Sequence, residues 1–184
     1  MKKVFSYPLT IFYYLLFGLN LLFFHLIQVF CHRLLGYAAH KKSVDWLNFL
    51  LLRCLNLLGT RFEFSNPFDM PQKGPLIIVS NHQSTYDIPP IIWYFRKYHP
   101  KFISKSTLGS GIPSVSYNLR HGGSVLIDRR KSNSALKKIK GFGQQVQKNQ
   151  WSAVIFPEGT RSKDGQTNKF YSNGLMTLFE QIPD

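Results

Sequence analysis

Pro75-Leu-Ile-Ile-Val-Ser80 runs without a break into Asn81-His-Gln-Ser-Thr-Tyr-Asp87, and Ile88 and two prolines follow. A short β-branched apolar run reads as a buried strand. Pro89 and Pro90 are tolerated in a helix only within its first turn, so a helix beginning near Ile88 is predicted to run to Tyr98. The polar segment between is then a strand-to-helix turn. His82 and Asp87 stand five apart, a spacing that suits such a turn better than one helix face. A carboxylate at the helix start can fold back onto the imidazole, fix its tautomer and leave the other ring nitrogen as a general base. The plainer reading is that Asp87, Ser84 or Thr85 caps the helix and His82 is a polar loop residue. Taken alone, the pair leaves both open.

Working outward, the same α/β rhythm recurs. Arg61-Phe-Glu-Phe-Ser65 alternates polar and apolar residues as a half-buried strand does, and a turn-rich connection runs from Pro67 to Gly74. Lys101-Phe-Ile-Ser104, Ser124-Val-Leu-Ile127 and Ser152-Ala-Val-Ile-Phe156 are further strand candidates, and Ser132 to Gln150 reads as a helix with a basic face. Two more polar motifs sit where strands end. Phe156-Pro-Glu-Gly-Thr-Arg-Ser162 brings a carboxylate, a hydroxyl and a guanidinium into one loop, and arginine suits bidentate binding of phosphate. Pro-Glu-Gly-Thr is equally a good turn, with Arg161 a solvated charge. Gly122-Gly-Ser-Val-Leu-Ile-Asp128-Arg129 ends a strand on Arg129, which would either aim at the same anion or open the basic helix face.

Composition narrows the class. The 184 residues carry 23 Lys+Arg against 9 Asp+Glu, a formal charge of +14, with 44% hydrophobic residues and 2 Cys. Disorder is excluded by the hydrophobicity, and a disulfide scaffold or Cys-based zinc site by the cysteine count. So basic a chain calls for an anionic partner: nucleic acid, membrane or phosphorylated substrate. The N-terminus favours lipid. No charged residue occurs from Val4 to His32, and about 20 such residues in a helix span the hydrocarbon core. Lys2 and Lys3 precede this run and Arg33, Lys41 and Lys42 follow it, so charge gives no orientation, and a hairpin with both ends on one side fits the symmetry. Trp46 to Gly59 reads as a second helix, stopped by Gly59. Arg53 in its middle disfavours full spanning and suits an interfacial position, the alternative being a core helix of the next domain. Residues 1–60 are therefore assigned to membrane-associated helices and 61–184 to an α/β domain.

The three motifs in this order resemble the glycerolipid acyltransferases, nearest to the 1-acyl-glycerol-3-phosphate (lysophosphatidic acid) acyltransferases. Asn81-His82-Gln83-Ser84 with Asp87 matches the first family block, Lys105 and Ile112-Pro113 the connecting block, Gly123 to Arg129 the second and Phe156 to Ser162 the third. The resemblance covers about Phe62 to Gly174 and departs afterwards. Phe170-Tyr-Ser-Asn-Gly174 stands where the family has Phe-Lys-x-Gly, and the chain stops at Ile182-Pro183-Asp184, before a proline-containing strand block, so a C-terminally incomplete domain is expected.

The resemblance implies an α/β fold, a mixed sheet flanked by helices behind a membrane-embedded N-terminal segment. It implies transfer of an acyl group from acyl-CoA or acyl carrier protein to the free hydroxyl of 1-acyl-glycerol-3-phosphate, giving phosphatidic acid. His82 would be the base and Asp87 its orienting partner, with Arg129, Glu158, Gly159, Thr160 and Arg161 holding the glycerol phosphate end. No resident cofactor, no metal and no nucleic-acid partner are expected. The protein is placed at the inner or cell membrane with its catalytic part cytoplasmic. A different lysolipid acceptor, or an inactive lipid-binding protein of the same fold, is the alternative.

Overall fold

The computed structural model describes residues 2–66 and 68–183, with side chains from Ser6 onward. Two long helices open the chain, α1 (Lys2–Phe30) and α2 (Gly36–Leu57), joined by a five-residue π-helical turn, Cys31–Leu35. Gly36 at φ +82° lets the backbone reverse there, a conformation that a Cβ would disfavour. The helices consequently run antiparallel. Tyr13 packs with Cys54 and Leu55 at one end of the hairpin, and Phe24 packs with Leu47 and Leu51 nearer the turn. Asn20 Nδ2 reaches Cys54 Sγ at 3.6 Å. The two helices thus form a helical hairpin. Lys2 and Lys3, on which its symmetry was argued, have side chains outside the described ones.

The segment Ser6–Leu57 is long and apolar enough to cross a membrane. The outer face of α1 is a continuous apolar stripe. Ile11, Leu15, Leu19, Leu22, Leu26 and Phe30 recur at three- and four-residue steps, each 51–70% exposed. A stripe of that extent is not left facing water. The inner face does not hang free. Leu21 O accepts a hydrogen bond from Ser114 Oγ at 2.7 Å, and Tyr13 and Phe17 meet the ring of Tyr86. The hairpin therefore lies along the side of the α/β part rather than projecting from it.

The second helix is longer than the Trp46–Gly59 expected and more deeply packed. Val44, Leu47, Leu51, Leu52 and Leu55 form a buried stripe, because α2 has α1 on one side and α3 on the other. Arg53 is exposed over the ring of Phe49, 5.1 Å from its centroid. Gly59 at φ +82° follows the helix end, as expected.

Four strands form one sheet in the order β1-β4-β2-β3: β1 Ile77–Val79, β2 Pro100–Lys105, β3 Val125–Ile127 and β4 Ser152–Ile155. Every pairing among the described residues is parallel, so the sheet is parallel where a mixed one was expected. Each link between successive strands carries a helix: α3 (Ile88–Tyr94), α4 (Val115–His121) and α5 (Ser132–Asn149), with α6 (Ser172–Gln181) after β4. Such crossovers are what parallel pairing requires. The period-2 alternation of the strands sorts their side chains. Ile103, Ala153 and Ile155 face α5 and α6, whereas Phe102 and Val154 face Val44 of α2 and Ile92 of α3. Leu178 of α6 is fully buried in the first layer. Leu178→Ala should lower stability by about 2–5 kcal/mol, read as a fall in the thermal midpoint in detergent.

Arg61–Ser65 is not a strand. Among the described residues no neighbouring strand offers it a ladder, and its aromatic residues are taken up by helices: Phe64 stacks on Tyr94 at 4.9 Å, and Phe62 packs beside Tyr13 and Cys54. The helix predicted from Ile88 to Tyr98 ends at Tyr94, with a 3₁₀ turn from Arg96 to Tyr98, and α4 and α6 were not foreseen. Of the predicted turn region, Pro67 lies outside the described residues.

Candidate active site

The polar motifs meet at the C-terminal ends of the parallel strands, the edge at which open α/β sheets bind ligands. His82 follows β1, Arg129 follows β3, and Pro157 to Arg161 follow β4. Asp87 Oδ2 lies 2.9 Å from His82 Nδ1 and accepts the backbone N–H groups of Gln83 and Ser84, each at 2.9 Å. Ser84 Oγ in turn accepts the N–H of Tyr86, completing a capping box. The two readings of Asp87 are therefore one arrangement: the oxygen that caps the helix also holds the imidazole. Contact at Nδ1 leaves Nε2 as the nitrogen able to take a proton.

The loop after β4 clamps this turn. Glu158, 1% exposed, accepts the His82 N–H through Oε1 at 2.6 Å. Its Oε2 accepts the backbone N–H and side-chain Nδ2 of Asn168 at 2.8 and 2.9 Å. These N–H donors, Asn168 first, hold its carboxyl below the ordinary carboxylate range. Ser162 N–H donates to His82 O at 2.8 Å, so both backbone groups of His82 are tied to this loop. Phe156 stacks on the imidazole, centroids 4.2 Å apart and planes 22° from parallel.

The remaining residues divide. Arg129, Glu158, Gly159 and Thr160 line one cavity of about 520 Å³, whose other walls are largely apolar, among them Ile103, Ile127, Leu136 and Ile155. Gly159 sits at φ +68° beside the Arg129 guanidinium. Arg161 does not line this cavity; its Nη1 donates to Thr85 Oγ1 at 2.7 Å, bridging the two loops. Asp128 pairs with Arg130, whose side chain and N–H hold its carboxyl low, and leaves Arg129 to the cavity. Asn168 and the stacking of Phe156 escaped the sequence reading. Phe156 was visible as part of its motif, but no sequence signal marks Asn168.

The family model described as Acyltransferase matches residues 61–183, and the chain belongs to that family. It is 34% identical over 130 residues to a 1-acyl-sn-glycerol-3-phosphate acyltransferase of Helicobacter pylori, covering 69% of this chain and 51% of that protein. It is 28% identical over 167 residues to the protein of the same name from Pseudomonas aeruginosa, covering 90% and 63%. The crystal structure of the 1-acyl-sn-glycerophosphate acyltransferase of Thermotoga maritima superposes with a TM-score of 0.77 at 25% identity, over 98% of this chain and 72% of that one. The chain thus spans about half to two-thirds of the length of these curated relatives.

Proposed function

We propose that the protein transfers an acyl group from a thioester to the free hydroxyl of a 1-acyl-glycerol phosphate. The observation that carries this reading is the His82–Asp87 contact of 2.9 Å at the open strand ends. Asp87 orients the ring; His82 Nε2 takes the proton as the acceptor oxygen attacks the thioester carbonyl. The C–S bond breaks, and the departing thiolate recovers the proton from the imidazolium, so the histidine ends as it began. The alcohol is itself the nucleophile, and no acyl-enzyme is formed. Arg129, beside Gly159 and Thr160, would hold the phosphate, and the apolar walls of the adjoining cavity suit an acyl chain. Acyl-CoA and acyl carrier protein both present the required thioester. The α1 stripe would lie in one leaflet, with residues 61–184 on the cytoplasmic side, where acyl thioesters are found.

The test is incubation of the detergent-solubilised full chain with lysophosphatidic acid and a labelled acyl thioester, followed by lipid analysis. A labelled phosphatidic acid is expected. Label appearing only in another diacyl lipid would reassign the acceptor, and no acylated product with any lysolipid would end the enzymatic reading. Arg129→Ala should raise the acceptor KM about 10–150-fold, the worth of one hydrogen bond to a charged group. A rise in the thioester KM instead would move Arg129 to the donor side.

A further inference from the structure

At the opposite end of the sheet from His82, where α4 leads into β3, an open groove of about 710 Å³ separates the hairpin from the α/β part. One wall is apolar. Leu26, Phe30 and Leu34 are 70%, 55% and 69% exposed, and the first two belong to the α1 stripe. Apart from Val29, the other groups are basic or polar: Arg33 and Arg120, both exposed, with His25, His121 and Tyr117. Among the described residues, no acidic side chain lines the groove. Arg120 is held in place by a 2.8 Å hydrogen bond from its Nη1 to Gly109 O, which leaves its other N–H groups for a second acceptor. The Ser114 N–H donates into His25 Nδ1 at 3.2 Å, so the hydrogen of a neutral imidazole is at Nε2, a further donor.

We infer that this groove seats an anionic phospholipid, its phosphodiester on Arg33 and Arg120 and its acyl chains along Leu26, Phe30 and Leu34. Charge complementarity selects the headgroup: two guanidinium groups without a carboxylate favour a net negative lipid over a zwitterionic one. Continuity with the α1 stripe selects a lipid over a soluble anion, because the apolar wall of the groove is the same surface that faces the hydrocarbon. The site is separate from the catalytic turn and does not depend on the acyl-transfer reading.

Native mass spectrometry of the detergent-solubilised full chain, titrated with phosphatidylglycerol or phosphatidylcholine, tests this. One phosphatidylglycerol should be retained in preference to phosphatidylcholine. In Arg33→Ala/Arg120→Ala its affinity should fall about 30-fold, the equivalent of about 2 kcal/mol for two basic residues near a headgroup, with phosphatidylcholine unaffected. Arg33→Ala alone, which leaves the Gly109 contact intact, should give about fivefold, and far-UV circular dichroism should show unchanged helicity. Lys137→Ala/Lys140→Ala removes the same charge from the exposed face of α5 and should leave the preference intact. Equal affinity for the two lipids, an equal loss in the lysine pair, or full displacement of phosphatidylglycerol by millimolar inorganic phosphate would overturn the assignment.

Discussion

In His82→Ala, acyl transfer should fall by about 10²–10⁴-fold, the usual worth of a positioned general base, while the protein stays with vesicles and keeps its thermal midpoint. The reasoning is local. The imidazole is held at Nδ1 by Asp87 and flanked by Phe156, but the turn itself is kept by backbone bonds: His82 N–H to Glu158, Ser162 N–H to His82 O, and the Gln83 and Ser84 N–H groups to Asp87. None of these is lost when the ring is removed. The loss should therefore appear in kcat with little change in the affinity for either substrate. Near wild-type turnover would remove His82 from the mechanism.

The second large effect is expected where the resemblance suggested binding. Glu158 was placed with the phosphate-holding residues, yet its carboxylate already accepts three N–H donors, from His82 and Asn168. Glu158→Gln turns one acceptor oxygen into a donor and sets it against an N–H on one side or the other. The turn carrying His82 should shift, and misplacement of a reacting group by about 1 Å costs on the order of 10²-fold in rate. A drop in kcat together with a lower thermal midpoint is expected. A rise in acceptor KM at unchanged stability would instead return Glu158 to the substrate. The acid response follows the same logic. A carboxyl held below its ordinary 4.5 contributes stability that is fully present above that value and is lost as pH falls through the lower folded value. Glu158→Gln should lack that part of the acid unfolding response.

Much of this could be read from the chain because it rests on local rules. Ile77–Val79 is a strand and Ile88 opens a helix with its prolines in the first turn, as apolar run and proline chemistry dictate. The basic residues beyond both ends of the uncharged run from Val4 to His32 allowed a hairpin without requiring one. What could not be read depends on contacts distant in sequence. Arg61–Ser65 has the alternation of a strand, but pairing needs a neighbour that alternation does not provide. The depth of α2 is set by Val44 meeting Ile92, Phe102 and Val154, none of them near it in the chain. In the site, His82, Asp87 and Arg129 were marked by motif, whereas the partition of the two arginines, one to the cavity and one to Thr85, exists only in three dimensions.

Tyr86 stands inside the turn between His82 and Asp87, and its ring rests against Tyr13 and Phe17 of α1 at 6.4 and 6.1 Å. The hairpin is therefore the floor on which the turn is laid. A water-soluble version made by trimming the first sixty residues would not be a miniature of the whole. It would strip one wall from the Tyr86 side chain and the α2 layer from beneath Ile92 and Phe102 in the same cut. Detergents chosen for the protein have a corresponding duty: they must sheathe the outer stripe of α1 without prying the helix from the turn it supports.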